Sequence, residues 1–264
     1  MLPRCPRPIV VSGLAVLAFA SFAHAQTVPR GPLVSPPAME TVADPPPPPP
    51  AREGTAEFAF VGTTGNSSTQ TLGLSGSYIV RPDGWVIANS ASYVRNESEG
   101  ETTANAGQYQ LRVERKFSPR LAAFGDYTYF RDRFAGVSHR NSLVGGVSYK
   151  VVDTARHLFF VDGGLGYLNE RRLVPPDVST GVYALGGGYR AKLSETATFT
   201  DDARFTGTFA ESGDWRFSHV AAVTARLTTL LSLKVSHTIR YANRPVEGFE
   251  TTDTTASVAL VAKF

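Results

Sequence analysis

From Ala56 onward, apolar and polar side chains alternate with period two over stretches too long for the strands of an ordinary soluble sheet. Leu111, Val113 and Phe117 alternate with Gln110, Arg112, Glu114 and Lys116. Tyr183, Leu185, Tyr189 and Leu193 alternate with Ala184, Arg190 and Lys192, and Leu231 to Tyr241 alternate with Ser232, Lys234, Ser236 and Arg240. Cutting at the turn signals predicts about twelve strands, near 56–64, 69–80, 84–95, 103–117, 120–134, 139–151, 157–170, 179–193, 196–210, 215–228, 230–242 and 252–264. Strands of soluble proteins mostly run about 5 to 6 residues, whereas about ten tilted residues cross a bilayer. The last strand places Ala256, Val258, Leu260 and Ala262 on one face, and Ser257, Ala259, Val261 and Lys263 on the other.

The connections point the same way. Arg81 to Gly84, Ser118-Pro119, Val152 to Arg156, Ser194-Glu195 and Thr228-Thr229 are short, while Asn96 to Thr102, Arg171 to Ser179, Glu211 to Asp214 and Asn243 to Glu250 are longer and more polar. Short turns at one end and long loops at the other predict an all-β, transmembrane, antiparallel up-and-down barrel of about twelve strands, with its turns and both chain ends in the periplasm. The soluble alternative is a β-sandwich or lipocalin-like barrel with its apolar face turned inward.

Residues 1–25 read as a secretory signal peptide: Arg4 and Arg7, an apolar run from Ile9 to Ala23, and Ala23-His24-Ala25 as the cleavage site. That run is short for a membrane helix, and nothing else in the sequence approaches the required ~18 apolar residues. Cys5, the only cysteine, falls inside this segment. A mature chain without it has no disulfide, thiolate metal site or cysteine nucleophile. Removing Arg4 and Arg7 takes the formal charge from +3 to +1, which gives a nucleic-acid partner no support. Residues 26–55 are proline-rich and contain Pro45 to Pro50, a polyproline II spacer without a core. Its two readings are a disordered periplasmic leader and an arm that touches peptidoglycan or another periplasmic protein. The barrel is expected over residues 56–264.

Several short motifs carry a resemblance. They are Thr64-Gly65-Asn66-Ser67, Gly100 to Ala104, Tyr129 to Gly136, Asp153 to His157, Gly163 to Tyr167 and Thr251 to Thr254. In order and spacing, residues 56–264 resemble the salt-induced outer-membrane protein family, a domain-of-unknown-function family of Gram-negative outer-membrane barrels. The resemblance implies location and architecture, with a possible tie to salt or osmotic stress, and supplies no catalytic residue. A carboxy-terminal aromatic strand resembles the closing strand of such barrels, so Phe264 is expected to serve as an assembly signal read by the barrel-assembly machinery, with outer-membrane lipid as the surrounding partner.

Chemistry is sparse. His139 and Ser142 are the nearest imitation of an outer-leaflet lipid hydrolase, yet three places apart on a strand they point to opposite faces. His219 and His237 fall on outward faces. No histidine and carboxylate spacing suggests a metal, and no cofactor is expected. The polar faces, assigned inward, give lumen charges at Arg112, Glu114, Lys116, Asp126, Asp132, Lys150, Asp162, Arg190, Lys192, Asp202, Arg204, Arg226, Lys234, Arg240 and Lys263. Folding about Ser118-Pro119 sets Asp126 nearly opposite Arg112, and folding about Ser194-Glu195 sets Asp202 diagonal to Arg190. Phe124 and Phe130 also point inward, which predicts a narrow lumen. Trp85, Tyr109, Tyr149, Tyr189, Trp215 and Tyr241 are expected in the interface girdles. Lys116-Phe117, Lys150-Val151, Lys192-Leu193, Arg226-Leu227 and Lys263-Phe264 repeat one step, a basic residue then an apolar one, which predicts a positive ring at the periplasmic mouth. The expected function is that of a non-enzymatic envelope barrel; the alternatives are a small channel whose basic lumen favours anions and the lipid hydrolase.

Overall fold

The computed structural model describes residues 50–63 and 69–264. The signal peptide, nearly all of the proline-rich leader and the Thr64 to Ser67 motif lie outside the described residues. Twelve strands follow: β1 (Arg52–Thr63), β2 (Thr69–Val80), β3 (Trp85–Ser98), β4 (Glu101–Lys116), β5 (Leu121–Asp132), β6 (Val137–Asp153), β7 (His157–Arg172), β8 (Val178–Lys192), β9 (Ala197–Thr208), β10 (Trp215–Arg226), β11 (Leu231–Ala242) and β12 (Thr252–Lys263). Each pairs antiparallel with its sequence neighbours, and β1 pairs with β12 over Thr55–Phe58 and Leu260–Lys263, so the sheet closes into a barrel. β1 begins at Arg52, inside the stretch that composition alone assigns to the leader, because Arg52 and Glu53 pair with Val80 and Ile79.

The period-two pattern fixes which face is out. Leu143, Leu165 and Leu185 are 60%, 64% and 58% exposed, whereas Val144 and Ala184, one residue away from two of them, and Val182 face the other way and are buried with Arg112, Asp126 and Asp162. Charges inside and leucines outside is the reverse of a soluble barrel, and only a hydrocarbon surround makes it stable.

The turn end is built by repetition. In Phe117-Ser118, Leu193-Ser194 and Leu227-Thr228, the hydroxyl accepts the N–H groups two and three residues on, at 3.0–3.3 Å. The preceding residues, Phe117, Leu193 and Leu227, project outward and are more than half exposed. At the loop end the sequence expectation needs correcting: residues 96–102 are no long loop. β3 and β4 run on to Ser98 and Glu101, and Glu99 (φ 53°) with Gly100 (φ 83°) forms a two-residue turn in the left-handed conformation that matches strand twist. The β5–β6 connection carries a 3-10 turn, Arg133–Ala135, capped by Asp132 Oδ1, which accepts from Phe134 N and Ala135 N at 3.1 Å.

At the seam, Gly54 and Phe264 exchange both backbone hydrogen bonds, at 2.8 and 3.0 Å. The Phe264 ring lies over Gly54 so closely that a Cβ there would meet ring carbon at 2.3 Å, an aromatic covering a glycine of the neighbouring strand.

The aromatic residues form two levels. Phe209, Tyr183, Phe205, Trp215 and Tyr241 make a continuous ladder towards the loop end, with centroids 5.0–6.0 Å apart. Trp85, Tyr149 and Tyr189 sit nearer the turns, Tyr189 against His157. Tyr109 departs from the girdle expectation: it lies mid-strand, and its hydroxyl donates to Asn89 Oδ1 at 2.8 Å.

Candidate functional site

The lumen gathers nearly all the chemistry of the chain. Its packed level is organised by Arg112, which projects inward from β4 and is 4% exposed. Its Nε donates to Glu114 Oε1 at 2.6 Å, and its Nη1 lies 3.1 Å from Asp162 Oδ2 and 3.5 Å from Asp126 Oδ2. The guanidinium lies 4.1 Å over the Phe124 ring. Gln110 and Arg204 also donate to Asp126 Oδ2, at 2.8 and 3.2 Å. Phe124, Val144, Leu168, Val182 and Ala184 pack as an apolar cluster beside this network. Glycines on β8 make the space: a Cβ on Gly186 would fall 2.3 Å from Asp162 Oδ1, and one on Gly188 2.4 Å from the Phe160 ring. These residues form a septum reaching inward from β4–β9.

The rest of the wall is different. β10–β12 and β1–β3 present Ser75, Ser77, Ser92, Ser232, Ser236, Ser257 and Thr55 inward, most of them half-buried. Thr55 bonds Ser77 at 2.7 Å, and Ser236 bonds Ser257 at 2.7 Å. Lys234 Nζ holds both oxygens of Glu57, at 2.9 and 3.2 Å, bridging from β11 to β1 across β12.

Above the septum, towards the loops, is a cavity of about 280 Å³. Its lining includes six arginines (140, 172, 204, 216, 240 and 244) and six carboxylates (126, 162, 170, 202, 250 and 253). Glu170, 1% exposed, is the centre of an arginine cluster. It accepts from Arg172 Nε at 2.6 Å, from Arg216 Nη2 at 3.4 Å and from Arg140 Nε. Phe130 stands between Arg140 and Arg240, whose guanidinium carbons are 5.3 and 5.5 Å from its centroid.

A strap crosses the mouth. The β11–β12 connection, residues 243–251, turns inward and buries Val246 with Ala135 and Val137 of the opposite β5–β6 hairpin. Gly136, at φ 72°, lets it seat: a Cβ there would lie 2.7 Å from the Phe249 ring and 2.8 Å from Val246. Arg244 at the strap's base is ion-paired with Glu211.

At the turn end, the basic residues closing the six descending strands occupy equivalent rungs. Arg81, Lys116, Lys150, Lys192, Arg226 and Lys263 each donate their backbone N–H, at 2.8–2.9 Å, to the carbonyl just before or at the start of the neighbouring ascending strand. Arg81 is the member that the basic-apolar step misses, since Pro82 follows it. Lys116, Lys192, Arg226 and Lys263 are exposed and Lys150 is buried on Asp153 at 3.1 Å, while Glu53 pairs with both Lys263 Nζ at 2.6 Å and Arg81 Nη2 at 3.1 Å.

Of the other sequence candidates, Arg190 and Asp202 face inward, with Asp202 opposite Gly188 and so diagonal to Arg190. Asp132 is buried at the 3-10 turn. His139 and Ser142 take opposite faces: Ser142 lines the cavity, and His139 lies outside at the loop end. His219 faces outward, its Nε2 3.0 Å from Asp201 Oδ2. Among the described residues, no group of three or more His, Cys, Asp or Glu is placed to hold a metal ion. Sequence reasoning missed Arg140, Glu170, Arg172, Arg216 and Asp253 because they lie at loop-end strand termini. Parity from Asp162 along the predicted 157–170 strand places Glu170 inward, and two more residues place Arg172 there.

A family model described as "Protein of unknown function, DUF481" matches residues 56–264, so the chain belongs to that family. No curated protein matches the sequence. Among solved structures, the NanC porin is similar at 12% identity and a TM-score of 0.49, covering 80% of this chain and 98% of its own. The KdgM porin is similar at 10% identity and a TM-score of 0.38, covering 81% and 98%. An anion-selective porin from Comamonas acidovorans is similar at 13% identity and a TM-score of 0.39, covering 81% and 98%.

Proposed function

We propose that this member of the DUF481 family, a transmembrane barrel of the outer membrane, is a narrow channel for small anionic solutes and not an enzyme. The observation that carries the reading is the asymmetry of the lumen: between the loop-end cavity and the turns, large ion-paired and aromatic side chains fill the β4–β9 side, whereas serines and threonines recur among small and mid-sized residues on the other. A solute entering from the loop end meets the guanidinium groups around Phe130 and Glu170. Its path then follows the serines of β10–β12 and β1–β3, past Lys234, to the basic ring at the periplasmic mouth. Fixed guanidinium and ammonium groups at both mouths lower the barrier for anions, and the carboxylates beside them keep the interior from binding an anion too tightly to release.

In planar bilayers, the purified protein is expected to give small conductance steps whose reversal potential in a salt gradient lies on the anion side. Ser236→Trp, which fills the hydroxyl-lined side, should abolish them. Silence at all voltages, both for the wild type and for a variant with the strap unseated, would end this reading in favour of a structural envelope role. The tie to salt or osmotic stress implied by the motif resemblance belongs to that second reading, for which growth of a deletion strain in high salt is the test. Hydrolysis through His139 and Ser142 has their opposite faces against it, and retention of any lipase activity in Ser142→Ala would remove it.

A further inference from the structure

On the outer wall, Asp201 of β9 and His219 of β10 are joined by a contact of 3.0 Å, and both are half-buried. The imidazole is parallel to the Phe217 ring at 6.5 Å. Towards the turns, Phe199 packs edge-on against Tyr189 at 6.4 Å; towards the loops, Phe205 stacks on Trp215 at 5.5 Å. The pair therefore lies in the apolar band between the two aromatic levels. Among the described strands, the outward-facing Arg95, Arg115, Arg131 and Arg171 lie one to three residues from a strand end, where headgroups or water reach them, whereas Asp201 lies four residues from the nearer end of β9 and between the two aromatic levels. Acyl chains offer its remaining acceptor positions nothing, and a carboxylate facing hydrocarbon is costly even when one histidine holds it.

The surroundings are shaped for cover. Small residues border the pair: Ala203 is in register with His219, Gly187 with Ala203, and Ala221 with Asp201. Within membranes, helices associate through close packing of small residues and shared hydrogen bonds, because lipid is as apolar as leucine; the same reasoning applies to a barrel wall. The arrangement of charge is also self-complementary. Asp201 pairs in register with Ala221, and Ala221 with His237, so one rung carries an acid on its β9 flank, a small residue in the middle and a base on its β11 flank. A two-fold axis along the membrane normal exchanges those flanks.

We propose that the β9–β11 wall is the contact surface for a second copy of this chain, apposed about a two-fold axis near Ala221 so that the Asp201 flank of each copy meets the His237 flank of the other. The small residues let the two walls approach, and the exchanged histidine supplies a donor that lipid cannot.

The test is cysteine cross-linking of the full chain in lipid nanodiscs, in a Cys5→Ser background. Ala221→Cys, at the axis, should give a disulfide-linked dimer under mild oxidation, while Leu74→Cys, exposed on the far wall, should not. In detergent, the wild type should have the mass of a dimer. The double variant Asp201→Leu/His219→Leu should shift it towards monomer by on the order of tenfold in dissociation constant, while keeping the heat-modifiable gel mobility of a folded barrel. A wild type that stays monomeric in both detergent and nanodiscs, a dimer that forms equally in the double variant, or cross-linking that is as efficient at 74 as at 221 would each overturn the proposal.

Discussion

The two halves of the lumen wall share one backbone architecture and one alternation, yet they are filled in opposite ways. From β4 to β9 the inward positions hold Arg112, Glu114, Phe124, Asp126, Phe160 and Asp162, all buried. From β10 through β12 to β3 they hold mostly serines, threonines, alanines and valines, with Lys234 and Glu57 as a bridge, Ile79, Val86 and Ala88 as a small apolar cluster near the turns, and Arg216, Arg240 and Asp253 towards the loops. A barrel of twelve strands encloses more space than side chains of average size fill, so the choice of large or small inward residues decides where it is solid. Closure is therefore concentrated on the β4–β9 side, and the proposed solute path follows the other.

The sharpest way to break that contrast is to remove a charge from the solid half. Glu170→Leu leaves three guanidinium groups facing one another without their carboxylate, and should destabilise the barrel by about 3–5 kcal/mol, read from urea titration of folding into lipid vesicles. Arg112→Ala, which takes the shared cation from Glu114 and Asp162 and leaves Asp126 with Gln110 and Arg204, should cost a similar or slightly smaller amount and, unlike Glu170→Leu, should widen the proposed conducting path, so that stability falls while conductance rises. Gly136→Val puts a β-branched residue at a positive φ and against Val246 and Phe249. A loss of about 1–3 kcal/mol is expected, with a several-fold gain in conductance as the strap unseats. In the open half the same measurements should separate. Lys234→Gln, breaking a half-exposed pair, should change stability by no more than about 1 kcal/mol while moving the reversal potential towards cations. The smallest effect is expected at the repeated turns: Ser194→Ala removes one hydroxyl cap and should cost about 0.5–1 kcal/mol with no change in conductance. A Lys234→Gln loss as large as that of Arg112→Ala would erase the distinction between the halves.

Much of this was legible beforehand because each strand is a local code. Alternation along β4 and β5, with the Ser118-Pro119 turn, is enough to place Arg112 opposite Asp126, and the register in the structure pairs those two residues. The turn end was legible for the same reason: a basic residue, an apolar residue and a hydroxyl follow one another in Lys116-Phe117-Ser118, Lys192-Leu193-Ser194 and Arg226-Leu227-Thr228. The loop end was not. Glu99-Gly100 reads as part of a polar loop until its two left-handed residues are seen to extend the hairpin, and the arginine cluster on Glu170 joins β6, β7 and β10, which no local pattern connects.

The strand set, the antiparallel order and the inward or outward side of most residues within the predicted strands follow from the sequence alone, because side-chain alternation and turn chemistry act over a few residues. Only the tertiary structure decided that Arg112 closes one side while serines line the other, that the 243–251 strap reaches Gly136 across the mouth, and that Asp201 and His219 meet in the apolar band. Those contacts depend on the radius and closure of the whole sheet, which bring together side chains many strands apart.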